Sequence, residues 1–166
     1  MNIRLLQPAD AAAFQQLRLA ALLDAPEAFM SSHEEEKDAP LDAVARRIAS
    51  ESGRGVFGAF DGDVLVGMVG LAREPRIKVR HKAVVWGMAV ATSARGRGVG
   101  RALMVAALDH ARGIDGLAKL VLSVDAANVA AIALYESLGF VVFAREQDAM
   151  RIGDDIRNDL QMSLVL

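Results

Sequence analysis

Cysteine is absent from the 166 residues, so disulfide bonds, thiolate metal centres and a cysteine nucleophile are all excluded. No apolar run approaches the roughly 20 residues that a membrane-crossing helix needs. The first residues, Met-Asn-Ile-Arg-Leu-Leu-Gln-Pro, have no signal-peptide core. These absences lead to the expectation of a cytoplasmic protein with no membrane partner. An excess of one charge is missing too. Nineteen Lys and Arg stand against 21 Asp and Glu, a formal net charge of −2, which gives no reason to invoke nucleic acid. Internal repeats, linkers and low-complexity tracts are also lacking. The expectation is one domain over residues 1–166, long enough to bury a core and too short for two ordinary domains.

What is present is concentrated in one stretch, Arg95-Gly96-Arg97-Gly98-Val99-Gly100-Arg101. It follows an apolar run at 84–90 that reads as a buried strand, and it opens a helix-like run at 99–111. A glycine-rich turn between strand and helix presents backbone N–H groups at the positive end of the helix dipole, which suits a phosphate. Three arginines add charge that pairs with phosphate oxygens in forked geometry. The local reading is a pyrophosphate cradle. A P-loop is excluded because Arg101-Ala102 follows Gly100 where Lys-Ser/Thr is required. The alternating Gly96, Gly98 and Gly100 also depart from the dinucleotide fingerprint. Asp125, at the end of the next apolar run, nevertheless keeps a ribose-binding dinucleotide site as an alternative.

The segment from Asn128 to Phe140 decides between them. Asn128 is placed to cap a helix on which Ala131, Leu134, Tyr135 and Leu138 share a face, and Gly139 ends it. Here the sequence resembles the GNAT superfamily of N-acetyltransferases. The family's phosphate-loop motif, Arg/Gln-x-x-Gly-x-Gly/Ala, is matched by Arg95, Gly98 and Gly100, with Met88-Ala89-Val90 in place of the usual Leu-x-Val before it. Its second motif, Asn-x-x-Ala-x-x-Leu-Tyr-x-x-x-Gly-Phe, is matched by Asn128, Ala131, Leu134, Tyr135, Gly139 and Phe140.

The resemblance implies a three-layer αβα fold around a mixed, mostly antiparallel sheet of about seven strands. The strands before and after the phosphate-loop helix would splay centrally to admit acetyl-CoA. Periodicity along the chain agrees. A short strand is expected at 2–7, and a helix from Pro8 carrying Phe14, Leu17 and Ala21. A polar segment at 31–40 leads to a second helix at 41–51. A hairpin of strands at 56–60 and 64–72 turns at Asp61-Gly62-Asp63. Strands follow at 84–90, 117–124, 140–145 and 160–165.

The resemblance also implies a chemistry: attack of a primary amine on acetyl-CoA within a ternary complex, without a metal. Met88, Ala89 and Val90 would bond the pantetheine arm through their main chain, and the Val90 N–H would polarise the thioester carbonyl. Arg95, Gly96, Arg97, Gly98, Val99, Gly100 and Arg101 would hold the pyrophosphate, with Asn128 and Tyr135 completing the cofactor site. The Tyr135 phenol would hydrogen-bond or protonate the departing thiolate; read as an isolated residue, it is a core aromatic. No Asp or Glu lies within 82–92, so the base falls to Glu34, Glu35 or Glu36, with Glu27, Glu74, His81 and water behind them. Carboxylates at 24–38 and 148–159 suggest an acidic rim that attracts a cationic amine. Trp86 faces the acceptor or fills the sheet core. A homodimer stays open, as does a non-catalytic acyl-CoA-binding role.

Overall fold

The computed structural model describes residues 1–166. Its first strand, β1 (Asn2–Leu5), is followed by a 3-10 turn at Pro8–Asp10 and by helix α1 (Ala11–Asp24). A second 3-10 turn, Pro26–Ala28, leads to two short helices, α2 (His33–Glu36) and α3 (Leu41–Ile48). The strands β2 (Arg54–Asp61), β3 (Val64–Arg73) and β4 (Lys82–Val90) then run antiparallel in sequence. After the glycine loop come α4 (Val99–Arg112), β5 (Lys119–Asp125), α5 (Val129–Ser137), β6 (Val141–Ile152) and β7 (Asp155–Val165).

All seven strands form one sheet in the order β1-β2-β3-β4-β5-β7-β6. Every pairing is antiparallel except β4 with β5. That parallel pairing is short: Lys82, Ala83 and Val84 face Lys119, Leu120 and Val121, and no register continues beyond them. The ends of β4 and β5 therefore diverge, and this is the expected splay. Gly87 sits at the divergence with φ +63°, a left-handed backbone that a side chain rarely adopts. The β3–β4 register shifts opposite it, between Met68 and Gly70.

Alternation along the central strands feeds two cores, one on each face. On β2, Val56 and Phe60 join a cluster with Phe14, Leu17, Ala21, Val44 and Ile48 of α1 and α3. Phe57 and Ala59 join the opposite cluster with Val99, Leu103, Met104, Ala107 and Leu108 of α4. Strands covered on both faces read as continuous apolar runs, because successive side chains enter different cores.

Three expectations shift. The second helix stops at Ile48 rather than 51, because Glu51 already pairs with Arg54 to start β2. The polar segment at 31–40 contains α2, started by a capping box in which Ser32 Oγ accepts from the Glu35 N–H. The last two strands are far longer than 140–145 and 160–165. β6 is an edge strand exposed on both faces for most of its length, so its polar half carries no apolar alternation to detect. No helix is long and apolar enough to cross a membrane.

Candidate functional site

The glycine loop enters α4 through Gly98, whose φ of +78° makes it a left-handed N-cap, with Gly96 at +74° before it. No side chain caps this helix. The six consecutive backbone N–H groups of Gly96, Arg97, Gly98, Val99, Gly100 and Arg101 have no acceptor within the chain. Free donors at a helix N-terminus are an arrangement that suits an anion.

This loop floors a cavity of about 560 Å³ lined by Met88, Ala89, Val90, Arg95, Gly96, Gly98, Val99, Gly100, Arg101, Asn128 and Tyr135. That volume lies within the range of small-molecule sites. Eleven of the twelve residues singled out from the sequence thus converge on one cavity. Arg97 is the exception. It is exposed and ion-paired with Asp61 at 3.0 Å, so the even alternation of arginine and glycine does not bring all three arginines to the cavity. Arg101 donates to Ser137 Oγ at 2.8 Å. Arg95 pairs with Asp24 and gives its Nε to the Val90 carbonyl at 3.1 Å, tying the loop to the end of α1. Asn128 caps α5, its Oδ1 accepting from Ala131 N at 3.1 Å, and lines the cavity as well.

Tyr135 is the link between faces. It also lines a second, 110 Å³ cavity inside the splay, with Ala28, Trp86, Gly87, Met88, Ser123 and Asp125. Burial pushes its phenol up to about 12, so it remains a hydrogen-bond donor throughout the neutral range. Its hydroxyl has no hydrogen-bond partner in the chain and is not sealed off from the cavity. Trp86 does two things: it packs on the α1-side core and lines the splay, with the Arg47 guanidinium 5.2 Å above its ring.

The carboxylates depart most from expectation. Glu34 is exposed and ion-paired with Lys37 at 2.7 Å, which holds its carboxyl below the ordinary range. Glu35 is lowered by the Ser32 N–H and hydroxyl that it accepts in the capping box. Glu36 is buried. Burial alone would raise its carboxyl, yet hydrogen bonds from Arg18 and Arg47 outweigh that and bring it to about 2. A carboxylate so held is a poor proton acceptor near neutrality.

None of these three glutamates lines either cavity, and neither do Glu27 or His81, while Glu74 lines a separate pocket with Arg73 and Arg80. The acidic rim is partly balanced as well. Asp148 pairs with Arg151, Asp155 with Arg157, and Asp159 is buried against Ser123 Oγ. Asp125 is 4% exposed, accepting from Arg157 Nε at 2.9 Å and from Ala127 N at 2.8 Å. Both of its oxygens are engaged within the chain, and it lines only the smaller cavity inside the splay rather than the one floored by the glycine loop, so the ribose-binding alternative gains no support.

Several lining residues carried no motif. Ala21, Ala25, Ala28 and Phe29 wall the larger cavity from the end of α1; small apolar residues at a helix end resemble ordinary packing in a sequence. The Arg18–Glu36–Arg47 cluster did leave a signal. Arg18 falls on the same stripe as Phe14, Leu17 and Ala21, where a charge is out of place.

A family model described as the acetyltransferase (GNAT) family matches residues 18–140. The mycothiol acetyltransferase of Renibacterium salmoninarum is 44% identical over 62 residues, 36% of this chain and 18% of that protein. That of Thermobispora bispora is 59% identical over 46 residues, 28% of this chain and 15% of that protein. The matched stretch spans less than a fifth of the length of these curated relatives. A GNAT-family acetyltransferase of Streptococcus pneumoniae shares the fold with a TM-score of 0.86 at 22% identity, covering 99% of each chain. A Salmonella typhimurium protein solved with its cofactor acetyl-CoA gives 0.84 at 24% identity, covering 100% of this chain and 94% of that one. At such identities the likeness speaks for the fold. The family model, by contrast, runs over most of the sequence, from α1 to the residue before β6, and so the chain belongs to the acetyltransferase (GNAT) family.

Proposed function

We propose that this chain is an acetyl-CoA-dependent N-acetyltransferase, one domain over residues 1–166, that acetylates a primary amine by direct attack in a ternary complex. The observation that carries the reading is the run of six unpartnered N–H groups, 96–101, opening onto a cavity that reaches Tyr135. The pyrophosphate of acetyl-CoA occupies that cradle. Its amide-rich arm runs along the unpaired edge of β4 at Met88 and Val90, satisfying backbone groups that the splay leaves without a strand. The thioester then lies between Val90 and Tyr135.

The amine enters from the α1 side of the splay. Its nitrogen lone pair attacks the carbonyl carbon, a C–N bond forms, and the negative oxygen is stabilised by the Val90 N–H. Collapse breaks the C–S bond, and the Tyr135 hydroxyl donates to the departing thiolate. No unpaired carboxylate lines the cavities, so the nitrogen's surplus proton leaves through solvent.

The reading is tested by thermal shift and by coenzyme A release. Acetyl-CoA at about 100 times its dissociation constant should add about 2.7 kcal/mol of stability, and NAD none. A panel of primary amines should release coenzyme A and gain an acetyl group. Stabilisation by acetyl-CoA with no transfer to any amine would leave a non-catalytic acyl-CoA-binding module instead.

A further inference from the structure

Arg18 points inward from α1 and is only 4% exposed. Two of its nitrogens grip Glu36 in a fork, Nε to Oε2 at 3.0 Å and Nη2 to Oε1 at 2.8 Å. The third, Nη1, is sealed from solvent without a partner, the one buried side-chain nitrogen or oxygen in the chain so left. Glu36 Oε2 also receives Arg47 Nη1 at 3.0 Å, so two guanidiniums share one carboxylate and the cluster holds an uncompensated positive charge. An unpaired charged donor in a dry place is costly. A ligand oxygen that reached Nη1 would relieve that cost.

The surroundings of Nη1 say where such an oxygen would come from. The Arg18 guanidinium lies 4.6 Å from the centroid of Phe29, a wall of the 560 Å³ cavity. A Cβ on Gly87 would stand 3.8 Å from Nη1, and Gly87 lines the 110 Å³ cavity beside Tyr135. Arg18 itself lines neither cavity, but the glycine at position 87 adds no side chain between Nη1 and the splay.

We propose that Arg18 Nη1 recognises a carboxylate on the acceptor, so that the substrate is an amino-acid-type amine whose carboxylate lies close to the acetylated nitrogen. This rests on the acetyl-transfer reading above. A carboxylate fits better than a neutral carbonyl because it cancels the surplus charge of the Arg18–Glu36–Arg47 cluster and takes a charge-assisted bond. It reaches Nη1 by displacing the Phe29 ring or the Pro26–Ala28 turn. The Phe29 ring is a buried member of the α1-side core, while its backbone N–H makes only a long 3.4 Å bond to the Pro26 carbonyl; side-chain rearrangement on binding is common.

The test compares matched acceptors at saturating acetyl-CoA: free amino acids, their carboxamides, the decarboxylated amines, and peptides with a free N-terminus. The parent should prefer the free amino acids by about 10- to 100-fold in kcat/KM, the range expected of one charge-assisted bond. Peptides, whose carboxylate lies residues away, should behave like the amides. Arg18→Lys keeps a charge beside Glu36 but removes Nη1. It should erase the preference by raising KM for the amino acid, with KM for the amide and affinity for acetyl-CoA unchanged.

Should Arg18→Lys fail to fold, competition in the parent decides. A carboxylic acid lacking the amine should compete with the acceptor, and its neutral amide should not. A parent that acetylates acids and amides alike, or an Arg18→Lys enzyme that keeps the preference, would overturn this proposal while leaving acetyl transfer intact. A parent that binds acetyl-CoA yet acetylates no amine would overturn the acetyl-transfer reading and this one with it.

Discussion

Tyr135 shows how one side chain reads differently as sequence and as structure. Its helix position marks it as apolar packing, and it is indeed buried against Phe140, ring centroids 6.0 Å apart. Yet its hydroxyl is neither bonded nor sealed and borders both cavities. With the phenol pushed up to about 12 by burial, it favours hydrogen-bond donation over full surrender of its proton to a thiolate whose acid has a pKa of about 8.5. Tyr135→Phe keeps the ring and loses a hydroxyl that bonds nothing in the chain. Stability and acetyl-CoA affinity should therefore hold, while turnover falls about 10²-fold. Because the phenol stays protonated well above neutrality, any basic limb in the parent's pH–rate profile near 8 or 9 should persist in the variant. Parental turnover with chemistry rate-limiting would reduce Tyr135 to packing.

Strand, loop and helix divide sharply in what the sequence made legible. The loop between β4 and α4 was readable because its chemistry demands glycine and its neighbours are continuously apolar. The splay was not readable from periodicity, since a strand that stops pairing at Val84 looks no different from one that pairs to Val90; only the family resemblance supplied it. The function of the glutamates at 34–36 was hidden for another reason. Three like residues in a row take three different partners, Lys37, Ser32 and the two arginines; the first two are local, the Ser32–Glu35 capping box being a sequence pattern, and only the partners of Glu36 needed the tertiary structure. The loop itself offers a clean test. A side chain at Gly98 would combine obstruction with left-handed strain, whereas Gly100 is helical. A Cβ there meets Leu134 Cδ2 at 3.5 Å and Val90 Cγ2 at 3.8 Å, ordinary contact. Gly100→Ala should keep or slightly raise the melting temperature, since alanine is the better helix former. It should weaken acetyl-CoA roughly tenfold, about 1.4 kcal/mol, by filling the floor of the cradle. An unchanged dissociation constant would place the cofactor elsewhere.

The two faces of the sheet are built by different means. The α4 face is an apolar core closed by Leu103, Met104, Ala107 and Leu120. The α1 face adds an ionic knot: the Glu36 carboxylate accepts from Arg18 of α1 and Arg47 of α3, and its backbone carbonyl accepts from Gln15 Nε2 at 2.8 Å. Three helices thus meet at one carboxylate, which makes the acid stability of the chain depend on it. The Glu36 carboxyl lies at about 2 in the fold against an ordinary 4.5. A depressed carboxyl contributes stability that is fully present above pH 4.5 and is lost as pH falls through 2, here about 3 kcal/mol. Glu36→Gln has no such group to titrate and leaves the Arg18 charge unmatched at every pH. Denaturant unfolding at pH 7 should find the variant about 3 kcal/mol weaker, a fall in melting temperature of roughly 6–12 °C for a chain of this size. As pH drops from 4.5 towards 2, the parent should lose its advantage and the two stability curves should converge. Curves that stay parallel across that window would mean that the charge of Glu36 does not hold the three helices together, and that packing of Phe14, Leu17 and Val44 alone secures them.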